Sequence, residues 1–164
     1  MDIHCDTVLC LQLAINDTRV AFISLAKGAP YLISRQLEVE RNVTLSGGAH
    51  GASIGTAPEA STRLLRVGIR ATLRLESLNL FGGAPSDSDD EFGLGGSVLN
   101  HGVLLMHNCS ISGARATMGG AVFSSGRTIG KPESQPLRHD YWRDVWCFVA
   151  ANCPRHALMW VCRR

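Results

Sequence analysis

Apolar and polar positions alternate most regularly between residues 64 and 76. Leu65, Val67, Ile69, Ala71, Leu73 and Leu75 are apolar and two apart, with Arg66, Gly68, Arg70, Thr72 and Arg74 between them. A period of two is the signature of a strand with one buried and one wet face. A helix competes, because Arg63, Arg66, Arg70 and Arg74 also recur at three- and four-residue spacing. Gly68 in the middle and the unbroken alternation favour the strand. The arginines then form a solvated outer face that blunts edge pairing, in preference to a basic stripe for a polyanion.

Shorter runs of the same kind precede this one. Residues 20–25, 31–33, 37–39 and 42–45 are β-favouring, with turns at Lys27-Gly28-Ala29-Pro30 and Ser46-Gly47-Gly48. Residues 6–16 read instead as a short helix that Asp6 or Thr7 can cap. Val8, Leu11 and Ile15 fall on one face, with Leu9 and Leu13 beside them. Packed on the first strands, such a helix would cover an open sheet edge.

The short runs repeat. Gly95-Gly96-Ser97-Val98-Leu99-Asn100-His101-Gly102 returns as Gly119-Gly120-Ala121-Val122-Phe123-Ser124-Ser125-Gly126, matching at both glycines of the pair, the valine and the closing glycine. An apolar–x–apolar motif before a glycine also recurs. It is seen at Val43/Leu45, Leu78/Leu80 and Cys109/Ile111, while Leu73/Leu75 correspond to Leu104/Met106. Corners at Glu76-Ser77 and His107-Asn108 change the phase between paired runs. Cys109 stands where other rungs carry an apolar residue, which predicts a small buried hydrophobe. Stacking of this kind predicts an all-β fold, a short parallel β-helix of about three to four coils. The corner glycines pass the chain from one coil to the next and are no phosphate cradle.

Three segments follow. Residues 1–19 form an N-terminal capping helix, residues 20–130 the repeats with a loop insertion at 83–94, and residues 131–164 a non-repeat tail, irregular or helical. The tail holds Trp142, Trp146 and Trp160 with Cys147, Cys153 and Cys162. Because the repeat stops abruptly after Gly126, the tail reads as an aberrant extension of a truncated chain more than as a cap.

Composition narrows the function classes. A net charge of +2 makes no electrostatic case for nucleic acid. Charged residues are 18% and glycines 17 of 164, which suits tight turns feeding a core of short strands. No apolar run is long enough for a transmembrane helix. The start, Met1-Asp2-Ile3-His4-Cys5-Asp6, is no ordinary signal peptide. Six cysteines are unevenly placed and match no disulfide framework.

Gly95-Gly96-Ser97-Val98 and Gly119-Gly120-Ala121-Val122, with residues 102–113 between them, resemble the repeats of chlamydial polymorphic outer-membrane proteins. More broadly they resemble right-handed parallel β-helix proteins of the pectin-lyase-like class. That family pairs a Gly-Gly-Ala-Ile-like segment with a Phe-x-x-Asn segment, in whose place Ile111-Ser112-Gly113-Ala114 stands here. The resemblance covers about residues 6–126 and implies a right-handed β-helix. It also implies a secreted or cell-surface setting, with adhesion, or polysaccharide and cell-surface glycans, as the business of the fold.

Candidate chemistry is sparse. Asp87, Asp89, Asp90 and Glu91 in the 83–94 loop offer oxygen ligands for Ca²⁺, though not at EF-hand spacing. Paired carboxylates there could also serve as acid and base in glycoside cleavage. The pectin-degrading constellation is missing, and His101-Gly102 is only a fragment of it. His139, Cys147, Cys153, His156 and Cys162 lack the close pairing of a zinc site. Sequons stand at Asn16, Asn42 and Asn108; the last two are read as equivalent corners whose amides bond neighbouring coils. No catalytic residue and no other cofactor is assigned. The expectation is a non-enzymatic β-helix scaffold or binding module of a surface or secreted protein, and a fragment of it. The alternative is a polysaccharide-cleaving or -binding protein with the 83–94 loop as its site.

Overall fold

A computed structural model describes residues 1–28, 30–85 and 93–131. It is mostly β, with parallel sheets and one α-helix among these residues. In chain order the elements are β1 (Asp2–Cys5), α1 (Val8–Asn16), β2 (Phe22–Leu25), β3 (Tyr31–Ile33), β4 (Leu37–Val39) and β5 (Val43–Ser46). Then come a 3₁₀ turn at Gly48–His50, β6 (Ala52–Thr56), β7 (Leu65–Val67), β8 (Thr72–Glu76) and β9 (Leu78–Phe81). The last are β10 (Val98–Asn100), β11 (Val103–His107), β12 (Ser110–Ser112), β13 (Val122–Ser124) and β14 (Arg127–Lys131).

Sheet A runs β1-β2-β5-β8-β11-β14, sheet B runs β12-β9-β6-β3, and sheet C runs β13-β10-β7-β4. From β3 onward the chain visits B, C and A in unbroken rotation, and every pairing is parallel. Ile23, Leu45 and Leu75 of sheet A, Ile33, Ile54 and Leu80 of sheet B, and Val39, Val67 and Val98 of sheet C all enter one buried core. Identical side-chain parity in each in-register strand feeds that core, since a one-residue slip would turn every apolar side chain outward.

Helix α1 begins at Thr7, whose Oγ1 accepts from the Cys10 backbone N–H at 3.2 Å. Leu11, Ala14 and Ile15 are buried while Leu9 and Leu13 are 65% and 62% exposed, so the packed stripe is narrower than the apolar one. The helix lies against β1, β2, β3 and β4, across the first strands of all three sheets. Arg41 fastens it there. Its guanidinium donates to the carbonyls of Ala14 (2.9 Å), Ile15 (3.0 Å) and Val20, partnering the carbonyl end of the helix. Strand β1, before the helix, escapes the sequence pattern: only Ile3 and Cys5 mark its inward side, and it adds a rung to sheet A beyond β2.

Several expectations are corrected. The run over 64–76 keeps its alternation but comprises two strands of different sheets. A turn at 68–71 leaves Ile69 81% exposed. Val43/Leu45 pair with Leu73/Leu75, and it is Ala52/Ile54 that pair with Leu78/Leu80. All three sheets carry the apolar–x–apolar motif, so the motif alone does not say which sheet a copy belongs to. Cys109 and Ile111 do align with Leu78 and Leu80, and Leu104/Met106 with Leu73/Leu75. Asn42 and Asn108 are not equivalent. Asn42 precedes a strand of sheet A, and Asn108 lies between β11 and β12. Cys5 and Cys10 are joined in a disulfide that ties β1 to α1, a pairing that the cysteine spacing leaves open.

Candidate functional site

Loop lengths single out one edge. Passage from sheet C to sheet A takes residues 40–42, 68–71, 101–102 and 125–126. Passage from sheet A to sheet B takes 26–30, 47–51, 77 and 108–109. Passage from sheet B to sheet C takes 34–36, 57–64, 82–97 and 113–121, so the longest connections all leave from the B–C corner. Long loops on a rigid scaffold are where binding residues gather.

The acidic candidates Asp87, Asp89, Asp90 and Glu91 belong to the longest of these loops and lie outside the described residues. The roots of the loop are firmly held. Gly83 N–H donates to Thr56 Oγ1 at 3.3 Å, Ala84 N–H to the Thr62 carbonyl at 3.1 Å, and Ser97 Oγ to the Gly82 carbonyl at 2.6 Å. On the later side Arg115 N–H donates to the Gly83 carbonyl at 2.8 Å and Thr117 N–H to the Gly93 carbonyl at 3.0 Å. Both ends of the insertion are thus stitched to the connections before and after it.

A charged network runs beside these roots. Arg63 is fully buried, and its Nη1 donates to Gln36 Oε1 at 3.1 Å. Gln36 Nε2 donates in turn to Glu38 Oε1, and Arg66 pairs with Glu38 at 3.3 Å and Glu40 at 3.1 Å. Arg74 pairs with Glu76 at 2.6 Å. The arginines therefore form neither a solvated face throughout nor a bare basic stripe: Arg63 is interior, and Arg66 and Arg74 are matched by carboxylates. Arg63 lies in the connection before β7 and is buried together with Leu64, so strand alternation does not mark it. Gln36, its partner, carries no sequence signal.

The glycine repeat at 95–102 and 119–126 holds a second, buried polar cluster. Val98, Leu99 and Asn100 pair in register with Val122, Phe123 and Ser124. Asn100 is fully buried. Its Nδ2 donates to Ser124 Oγ (2.9 Å), Thr128 Oγ1 (3.1 Å) and the Arg127 carbonyl (3.1 Å), and its Oδ1 accepts from Gly102 N–H at 3.0 Å. Both ends of the amide are satisfied, so the cluster fixes the turn from sheet C into sheet A and is not poised for chemistry. His101 Nδ1 lies 2.7 Å from Ser125 Oγ on the exposed side of that turn.

Cys109 is a free, half-buried thiol, and burial pushes its pKa up, so it holds its proton and is no nucleophile at neutral pH. Among the described residues no group of three His, Cys, Asp or Glu side chains is placed to hold a metal ion, and no helix is long and apolar enough to cross a membrane. His139, Cys147, Cys153, His156 and Cys162 lie outside the described residues.

Fold and site together define a mostly-β protein of parallel sheets with its long connections gathered at one edge. No family model, no curated protein and no solved structure matches this chain.

Proposed function

We propose that the chain is a non-enzymatic scaffold or binding module of a surface or secreted protein, its three sheets wound as a short right-handed parallel β-helix. The observation that carries this reading is the gathering of the long connections between sheets B and C of a body of parallel sheets. A scaffold that repeats its strands and varies its loops on one side is suited to present a recognition surface. Surface or secreted location follows from the resemblance of the glycine repeats and agrees in sense with the Cys5–Cys10 disulfide.

Cell-surface polysaccharide is the proposed ligand class, and Asp87, Asp89, Asp90 and Glu91 of the insertion are proposed Ca²⁺ ligands. The test is incubation with neutral and acidic polysaccharides, with and without Ca²⁺, followed by both binding and product release. Binding that is lost when residues 84–94 are replaced by a short Gly-Ser linker, without product release, supports the module. Product release that Asp89→Ala and Asp90→Ala abolish would replace it with the polysaccharide-cleaving reading.

A further inference from the structure

We infer that Asn42 is a site of N-linked glycosylation, an inference resting on the secreted or surface reading above. The triplet Asn42-Val43-Thr44 has the required hydroxyl two residues on. Asn42 is exposed at the short C–A corner, away from the loop-bearing edge, while Val43 beside it is buried. Its Oδ1 accepts from Thr72 N–H at 3.0 Å. That bond uses the oxygen only, so Nδ2 is left to carry a sugar and the substituted amide keeps its contact with the next strand.

The other asparagines sharpen the choice. Asn100, outside any sequon, spends its Nδ2 on two buried hydroxyls and the Arg127 carbonyl. Asn108, within a sequon, donates its Nδ2 to Ser77 Oγ at 3.3 Å and has a φ of 50°, so a glycan there would displace a contact between neighbouring turns of chain. Asn16, at the exposed end of α1, has the same chemistry as Asn42 without its fixed amide. Independently, the Cys5–Cys10 disulfide points to an oxidising compartment, the setting in which such transfer occurs.

The step requires a lipid-diphosphate-linked oligosaccharide as donor. Asn42 Nδ2 forms a bond to the anomeric carbon. The bond from that carbon to the diphosphate oxygen breaks, the lipid diphosphate leaves with the electron pair, and Nδ2 gives up one proton to base.

The experiment expresses the full chain behind a cleavable secretory leader in cultured animal cells. Wild type, Asn42→Gln and Thr44→Ala are compared before and after peptide N-glycosidase, in lysate and medium alike. Thr44→Ala removes the sequon while keeping the Asn42–Thr72 bond, and the lysate reports even on a variant that fails to fold. Wild type is expected to carry one glycan more than either variant and to yield a residue-42 peptide converted to aspartate by the glycosidase. An unmodified Asn42 in wild-type chain that has entered the lumen, with Cys5–Cys10 formed, overturns the inference and leaves the function reading standing. A glycosylated Asn42 on protein that binds no polysaccharide does the reverse.

Discussion

Asn100 shows how a buried polar side chain can specify one packing. Its amide serves four partners at a corner between two sheets, and Ser124 and Thr128 bond each other as well at 2.9 Å. Asn100→Leu leaves the Gly102 N–H and two hydroxyls short of a partner in a buried setting. The expected cost is about 3 kcal/mol, read from denaturant unfolding; a variant within about 0.5 kcal/mol of wild type contradicts it. Cys109 gives the pH-dependent counterpart. Because burial raises its folded pKa, the thiol contributes stability that is complete below its ordinary value of 9.0 and is lost as pH rises through the higher folded value. Wild type should therefore lose more stability than Cys109→Ala between pH 8 and pH 11; equal losses would contradict the assignment. Parity along the strands foretells inward residues such as Leu65 and Val67, but hydrogen-bond partners such as Gln36 and Thr128 are set by stacking of distant segments and leave no local trace.

At the scale of elements, α1 illustrates the division between local and tertiary information. Its start is legible from a cap at Asp6 or Thr7 and from the apolar stripe, but what holds it is Arg41, remote in sequence and reaching the Ala14 and Ile15 carbonyls at the helix end and the Val20 carbonyl beyond it. Arg41→Met keeps the aliphatic stem and removes the donors. A loss of about 2 kcal/mol is expected, with faster amide exchange confined to residues 8–16; unchanged exchange there would refute the role. The corners obey a similar rule. A Cβ on Gly102 would collide with the carbonyl oxygens of Gly68 and Ala71, whereas one on Gly120 would meet open space. Gly102→Ala should destabilise by about 1–3 kcal/mol and Gly120→Ala by less than about 0.5 kcal/mol, judged from thermal midpoints. The sequence marks both glycines alike because each closes or opens a copy of the same repeat; only the neighbouring rung tells them apart. Strand β1 carries no such mark, because its four residues alternate weakly and become a strand through the rung they join.

Across the whole molecule, the sequence pattern conveys parallel stacking, alternation and repeat more securely than register. Leu73 and Leu75 align with Leu104 and Met106, and Val98 with Val122, as the repeat implies. Val43 and Leu45 align instead with Leu73 and Leu75, since an apolar–x–apolar triplet ahead of a glycine fits more than one rung. Loop lengths explain the difficulty: the B–C connections vary while the other corners stay short, so no single period runs through the chain. The same variation marks the B–C edge as the candidate recognition surface. Its acidic residues were found from composition, whereas the buried Arg63–Gln36 pair beside it becomes visible only once β4 and β7 lie side by side.

The stacked order on which the proposed function depends is open to direct chemical measurement. Thr44 and Arg74 are in-register neighbours on sheet A, within the separation a disulfide can bridge across parallel strands, whereas Asn79 belongs to sheet B. With Cys109, Cys147, Cys153 and Cys162 replaced by serine, oxidation of Thr44→Cys/Arg74→Cys should give a crosslinked peptide by mass spectrometry, and Thr44→Cys/Asn79→Cys should stay reduced. Crosslinking of the second pair and not the first would contradict the rotation of the chain through three parallel sheets.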